Sequence, residues 1–504
     1  MNETPKESTQ ESTAIVSDDA TADVSDEKVQ ETPEVTPLAN PSFVGFVLTQ
    51  FFGAFNDNLF KQLLLLLALP TAEAVQKAAQ EGQTAGGDMQ GIATVIFGLP
   101  FIFFSGFAGH LSDRFSKRTV IVLSKVAEIG VMVLGLVGFW FATTLGFAGM
   151  WFVLFLMGLQ STFFGPAKYG ILPEMLNENQ LSRANGFTLM MTFLAIIFGT
   201  ALAGPLKENL MNERPAAVAA ADPIANDAAA EDPAVPAMAN EKENAVAGRL
   251  DSARGLWPGA LVCIAIAIVG TLTSLLIRQV SPAEPDSKLT LSGLLVPTEI
   301  RRLLMVDRQL LLALGASCVF WLIAGLTLQA VNSLGKVQLE LSDGTTSFLV
   351  ALISVGLAAG AVSAGLLSRG GRENLVVQIG MWVVVVTSAI MAITLPGGQH
   401  MLGFYGTVVA LILLGAAAAF FAIPIQVFLQ QRPPAELKGR MIAVMNISNF
   451  IAIVGSGVVY IILNALIENL NWPRSFMFGA MAIMFLPIAI GYRLCPEQRP
   501  ETSP

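Results

Sequence analysis

Twelve apolar runs follow one another along this chain, at 43–69, 90–109, 119–142, 147–165, 184–206, 257–278, 309–333, 346–368, 374–395, 401–424, 441–466 and 474–494. A helix rising 1.5 Å per residue needs about 20 apolar residues to cross the hydrocarbon of a bilayer. Within that layer every backbone N–H and C=O must find its partner inside the protein, so runs of this length are expected to be helices. Only 13% of the residues are charged and 53% are hydrophobic, whereas soluble domains carry about 25% charged residues. The expectation is an all-α membrane protein with twelve transmembrane helices, not a soluble enzyme with a single anchor.

The first run departs from this apolar pattern. It reads GFVLTQFFGAFNDNLFKQLLLLLAL from Gly45 to Leu69, and its middle holds Asn56, Asp57, Asn58 and Lys61. At 3.6 residues per turn, Gln50, Ala54, Asp57 and Lys61 fall on one face. A charge near the bilayer centre costs about 2.5–3.5 kcal/mol, so it is expected to face a partner helix or a wet cavity. Two readings stay open. The stripe lines a translocation path, or Asp57 and Lys61 form a self-contained i,i+4 pair that only orients the helix. In the third run Lys125 and Glu128 stand three apart. Lys125 is placed to snorkel towards the near surface, and Glu128, deeper, is expected to be protonated, paired or wet, which makes it a candidate proton site.

The formal charge of −9 is concentrated outside the apolar body. Residues 1–42 contain ten acidic and two basic residues, and 207–256 contain nine acidic and five basic ones. Residues 1–42 lack the basic stub and apolar core of a signal peptide and read as a disordered cytoplasmic tail. Segment 207–256, rich in Ala, Asn, Pro and acids, reads as a mostly disordered extracytoplasmic insertion. With the amino terminus inside, 17 Lys and Arg residues fall in the cytoplasmic connections and three (Lys77, Lys336, Arg474) in the short outer ones. That bias places both termini in the cytoplasm of a multi-pass inner-membrane protein. The basic, proline-containing stretch 279–308 divides the chain into six-helix bundles at 43–278 and 309–494, leaving a short cytoplasmic tail at 495–504. Three cysteines and two histidines imply neither a disulfide framework nor a His-rich metal site. There is no G-x-x-x-x-G-K-[ST] loop, so ATP is not the direct energy source. No cofactor and no nucleic-acid partner are expected.

The connection after the second run reads GHLSDRFSKR. It resembles the signature loop of the major facilitator superfamily in Gly109, Leu111, Asp113, Arg114, Lys117 and Arg118, with Ser116 in place of the usual glycine. A degenerate counterpart, SRGGRE, stands at Ser368–Glu373, where duplication of a six-helix unit would put it. The resemblance implies two pseudo-symmetric bundles of six helices, the major facilitator fold. It also implies a latch role for Gly109, Asp113, Arg114, Lys117 and Arg118 in the outward-facing state, with Gly109 permitting close helix approach. An ordinary basic turn is the plainer reading.

Three further stretches are similar to the lysophospholipid transporter branch of that superfamily: GAFNDNLFK at Gly53–Lys61, GPAKYGILPEM at Gly165–Met175 with LSRANGF at Leu181–Phe187, and FFAIPIQVFLQQR at Phe420–Arg432 with Lys438–Asn446. The resemblance implies a secondary transporter that moves lysophospholipid, above all lysophosphatidylethanolamine, through a lateral opening for reacylation. Membrane lipids would surround it, and an acyltransferase or acyl-carrier ligase is the partner it suggests. Binding is expected from Asn56, Asp57, Asn58, Lys61 and Gln50. Some members of the branch carry an arginine in the seventh helix where LTLQA here places Gln329, so Gln329 and Asn332 would offer hydrogen bonds without charge. Lys168 is expected to contact a phosphate or to cap a helix end, and Tyr169 suits the headgroup layer. Gln426, Gln430 and Gln431 read as cavity donors or as surface residues near a helix end. The rival function is transport of a water-soluble solute or drug on the same fold.

Overall fold

A computed structural model of the protein describes residues 40–71, 75–76, 87–212, 237–285, 298–368, 371–434 and 437–494. Twelve helices correspond to the twelve runs: α1 (Pro41–Ala68), α2 (Gln90–Arg114), α3 (Lys117–Trp140), α4 (Ala142–Gly170), α5 (Glu178–Asn212), α6 (Trp257–Ser274), α7 (Arg308–Ser333), α8 (Asp343–Leu367), α9 (Glu373–Met391), α10 (Gly403–Gln431), α11 (Lys438–Asn469) and α12 (Phe476–Gly491). Ten of these spans meet the length and hydropathy expected of a membrane crossing among the described residues. The polar middle of α1 lowers its mean hydropathy, and α12 is only 16 residues long. The face at which α1 begins is called the near face below, and the one at which it ends the far face.

The helices pack as two bundles that repeat one another. In the first, α1 lies on α5 and α6, α2 on α4, and α3 on α4 and α6. In the second, α7 lies on α11 and α12, α8 on α10, and α9 on α10 and α12. The largest contacts between the bundles, α2 with α11 and α5 with α8, are also exchanged by the repeat, and α7 touches α1 and α2 at the same junction. Lipid tails are as apolar as Leu, so helices in a membrane associate through close packing at small residues. Here Gly356 and Gly360 of α8 lie against the Ile412 and Ala416 carbonyls of α10, leaving no room for a Cβ. Gly365, further along, faces open space.

Parts of the connecting segments differ from the expectation. Residues 1–39 of the tail and 495–504 lie outside the described residues, as do 72–74 and 77–86 of the connection after α1. Asn40 accepts a hydrogen bond from Phe43 N–H and caps α1, with Pro41 at its first position. The 207–256 insertion is not a disordered loop throughout. α5 continues to Asn212, and Ala237–Arg254 is an 18-residue helix. Val246, Leu250 and Ala253 recur at helical spacing and, with Leu256, pack into the apolar core of the first bundle. The Ala- and Glu-rich composition obscured that stripe. In the central connection, Thr298–Val306 forms a helix that buries Ile300 and Leu304.

Candidate functional site

The polar residues from Gln50 to Lys61 of α1 reach four neighbouring helices, because successive side chains are turned about 100° around the axis. Asn56 points at α3 and donates to Glu128 Oε1 at 2.8 Å. Glu128 also pairs with Lys125. All three are buried, and the Lys125 ammonium lies 5.1 Å from the centre of the Phe164 ring. Lys125 therefore does not snorkel. It turns inward to Glu128, whose other oxygen is satisfied by Asn56, so the buried charge has the partner it requires. Asp57 faces α4 and accepts from Ser161 Oγ at 2.7 Å and from Gln160 Nε2 at 3.4 Å. Lys61 stands over the Phe97 ring of α2 at 5.3 Å. Asn58 returns its amide to the Ala54 carbonyl at 2.7 Å, and Gln50 donates to Thr192 of α5 at 3.1 Å. Asp57 and Lys61 are half-buried, whereas Asn56 and Gln50 are enclosed.

Gln329 and Asn332 are completely buried at the far end, where the bundles close on each other. Gln62 Nε2 donates to Asn332 Oδ1 at 2.8 Å, and Asn332 Nδ2 donates to Gln90 Oε1 at 3.0 Å. Gln90 Nε2 donates to Tyr460 Oη at 3.0 Å and to the Gln329 carbonyl at 3.3 Å. Tyr460 in turn donates to Asp88 at 2.6 Å. Beside this network, Asp343 of α8 receives Lys207 of α5 at 2.7 Å and Lys336 at 2.9 Å. Both lysines also donate to the Leu66 carbonyl, at 3.2 and 3.0 Å, in the last turn of α1. Arg249 of the inserted helix donates to the Ala68 and Gly87 carbonyls at 3.1 and 2.6 Å. The carbonyl end of α1 thus receives three cations, as the negative end of a helix dipole favours.

Two glycine crossings make this closure possible. Gly91 and Gly457 each lie against the other's carbonyl, and Gly204 lies against the backbone of Asp343 and Gly344. Glu208 accepts from Gly344 N–H at 2.7 Å. The sequence marked Lys336 only as an outer-loop cation. Gln62, Gln90, Lys207 and Tyr460 carried no motif, and only the approach of the two bundles brings them together.

On the near face the signature loop binds its own half. Lys117 pairs with Glu174, and Arg118 donates to Gln279 at 2.9 Å and to the Leu275 carbonyl at 3.3 Å. The Asp113 carbonyl accepts from Glu284 N–H at 2.8 Å, and Arg114 lies 5.8 Å from the Phe115 ring. A Cβ on Gly109 would meet open space, so this glycine is not required for a close helix approach here. Lys168 stands 4.8 Å from the ring of Tyr169, which is exposed. In the second half, Asp307 caps α7 by accepting from Leu310 N–H at 3.1 Å and pairs at 2.5 Å with Arg432, the residue that follows α10. Partial burial alone would raise the Asp307 carboxyl, but the Arg432 hydrogen bond and the helix N–H groups hold it below the usual carboxylate range.

Among the described residues no group of three or more His, Cys, Asp or Glu is placed to hold a metal ion. The family model described as Major Facilitator Superfamily matches residues 42–210 and 245–457. The lysophospholipid transporter LplT of Pectobacterium carotovorum subsp. carotovorum (strain PC1) is 28% identical over 424 residues, covering 83% of this chain and 85% of that protein. LplT of Salmonella gallinarum is 25% identical over 421 residues, covering 82% and 85%. Among solved structures, a D-xylose-proton symporter aligns with a TM-score of 0.58 at 14% identity, covering 90% of this chain and 99% of its own. The nucleoside transporter NupG aligns with a TM-score of 0.57 at 13% identity, covering 89% and 97%. At such identities these structures speak for the fold alone.

Proposed function

The chain belongs to the major facilitator superfamily, and from that premise we propose that it is a secondary transporter moving lysophospholipid across the bacterial inner membrane. The observation that carries the reading is the state of Asp57 and Lys61. Both are half-buried beneath the closed far end, and each is held by neutral groups or a ring rather than by the other. Hydrogen bonds from Ser161 and Gln160 keep the Asp57 carboxyl in place, while Lys61 and Lys125 act on it through space rather than through a direct ion pair. Lys61 rests on a ring face, which attracts a cation without neutralising it.

A zwitterionic headgroup presents an ammonium to Asp57 and a phosphate to Lys61 or Lys168. Lysophosphatidylethanolamine fits this pairing. Its single acyl chain stays with the lipid through a lateral gap between the bundles, and rocking of the bundles carries the head towards the near, cytoplasmic face. Both termini lie on that face, where the product is handed on for reacylation by an acyltransferase or acyl-carrier ligase. The protein itself carries cargo and catalyses no reaction. Similarity to LplT proteins across the membrane body supports the substrate class.

Uptake of labelled lysophosphatidylethanolamine into spheroplasts tests the proposal. Expected is uptake that is lost on deleting the protein and strongly reduced in Asp57→Ala. Unchanged uptake after deletion rejects it. Flipping of the lipid by the purified protein alone in proteoliposomes separates a transporter from a protein that only recruits an acyltransferase.

A further inference from the structure

A pocket in the second bundle lies outside everything described above. Ser317, Phe320 and Trp321 of α7, Phe421, Ile425 and Gln426 of α10 and Asn449 of α11 line it. Ser317 Oγ donates to Asn449 Oδ1 at 2.9 Å, which leaves the Asn449 amide N–H₂ as the group that this buried residue can offer. Gln426 is exposed beside it. A row of rings runs from the α1 stripe to α11, the helix that carries Asn449: Phe97, under Lys61, lies 5.7 Å from Phe101, and Phe101 stacks at 3.7 Å on Phe450, which is outside the pocket lining.

The chemistry of the lining limits its occupant. It contains no Lys, Arg, His, Asp or Glu. A phosphate would lose its hydration here without a counter-charge. An aromatic cage for an ammonium is not formed either. Phe421 is enclosed and packs edge-on against Phe485, so it offers no open ring face, and no carboxylate stands by to balance the cation. A bare hydrocarbon would leave three hydrogen-bonding side chains facing it. What remains is a neutral group that both donates and accepts hydrogen bonds beside apolar surface.

Resting on the lysophospholipid reading, we propose that this pocket is a subsite for the free glycerol hydroxyl, the group by which a lysophospholipid differs from a two-chain phospholipid. Asn449 and Gln426 bond the hydroxyl, and Ser317 positions Asn449; the pocket, about 20 Å³ in volume, has room for one group the size of a water, so the adjoining carbons stay outside it. The pocket lies nearer the near face than the α1 stripe, so the hydroxyl is read on the release side of the charged contacts.

The test uses the full-length protein in proteoliposomes with 1-acyl lysophosphatidylethanolamine and its 2-deoxy analogue, which lacks only the hydroxyl. A site built to bond a hydroxyl discriminates against the analogue that lacks it. Wild-type protein is expected to move the natural lipid about five- to tenfold faster, as the loss of about 1 kcal/mol of hydrogen bonding implies. Asn449→Leu, and more mildly Ser317→Ala, should lower transport of the natural lipid towards the rate of the analogue and leave the analogue nearly unchanged. Equal wild-type rates for the two lipids, or equal losses of both in Ser317→Ala, overturn the subsite. A loss that follows the headgroup, seen with lysophosphatidylethanolamine and not with lysophosphatidylglycerol, assigns the pocket to the ammonium and also overturns it. If wild-type protein moves neither lipid, the transport reading falls, and the subsite with it.

Discussion

The two bundles share one packing scheme and differ in what they place at its centre. In the first, Asp57, Lys61, Lys125 and Glu128 stand well inside the spans. In the second, the sequence puts no charged residue between Gln309 and Ser333 of α7 or anywhere in α10, and the interior polar groups are hydroxyls and amides. The contact between Gln62 and Asn332 gives a register for comparing the two lead helices. Counting back equally from it sets Thr327 against Asp57 and Leu326 against Asn56. Thr327 merely returns its hydroxyl to the Ile323 carbonyl at 2.7 Å. A symmetric scaffold thus presents charge from one side and neutral hydrogen bonds from the other. Such an arrangement suits a cargo with a charged head and an uncharged body.

The largest effect should come from exchanging these roles. Asp57→Asn is expected to lower lysophospholipid uptake about 30-fold, matching the loss of about 2 kcal/mol of charge-assisted bonding. Thr327→Val should change it less than about twofold. Equal losses would end the functional contrast between the halves.

A second measurement asks whether the far closure holds the bundles together independently of that contrast. Asp343→Asn removes the shared carboxylate of Lys207 and Lys336. It is expected to shift the population about tenfold towards an open far face, equivalent to about 1.4 kcal/mol. Faster thiol labelling of a Ser333→Cys reporter would register the shift, and unchanged labelling would show that the glycine crossings alone maintain the closure.

Stability should follow the same division. Asn56→Leu takes a buried hydrogen bond from Glu128 and is expected to cost about 1–2 kcal/mol in thermal unfolding. Ser456→Ala removes only a bond to the Ile453 carbonyl of its own helix and should cost less than about 0.5 kcal/mol.

The smallest effect concerns pH. The folded Asp307 carboxyl lies below its usual range, so its contribution to stability is present above that range and is lost as pH falls through the folded value. The melting temperature should decline on acidification, and Asp307→Asn should make the decline slightly shallower. An identical decline in the variant would remove Asp307 from the account.

Several features could be read from residues alone. Twelve spans, their division into two halves and the unusual first helix follow from apolar length and from the cost of placing Asp and Lys in hydrocarbon, and both are local properties of the chain. Partners were less legible. Lys125 and Glu128 could be recognised as a pair by their spacing, but the Asn56 amide of another helix that satisfies Glu128, and the Phe164 ring beside Lys125, come only with the fold. The helix at Ala237–Arg254 was obscured because its apolar stripe is sparse and acquires meaning only on docking to the first bundle.

The membrane architecture was therefore determined by the sequence itself, since hydrocarbon tests each run separately for length and polarity. The far closure was decided only by the tertiary structure. Gln62, Asn332, Gln90 and Tyr460 come from four helices, Lys207, Lys336 and Asp343 from three further places, and Gly91, Gly204 and Gly457 determine how closely those helices approach. Hydrogen bonds and ion pairs act over a few ångströms, so residues hundreds of positions apart become partners only when the folded backbones bring them within that range.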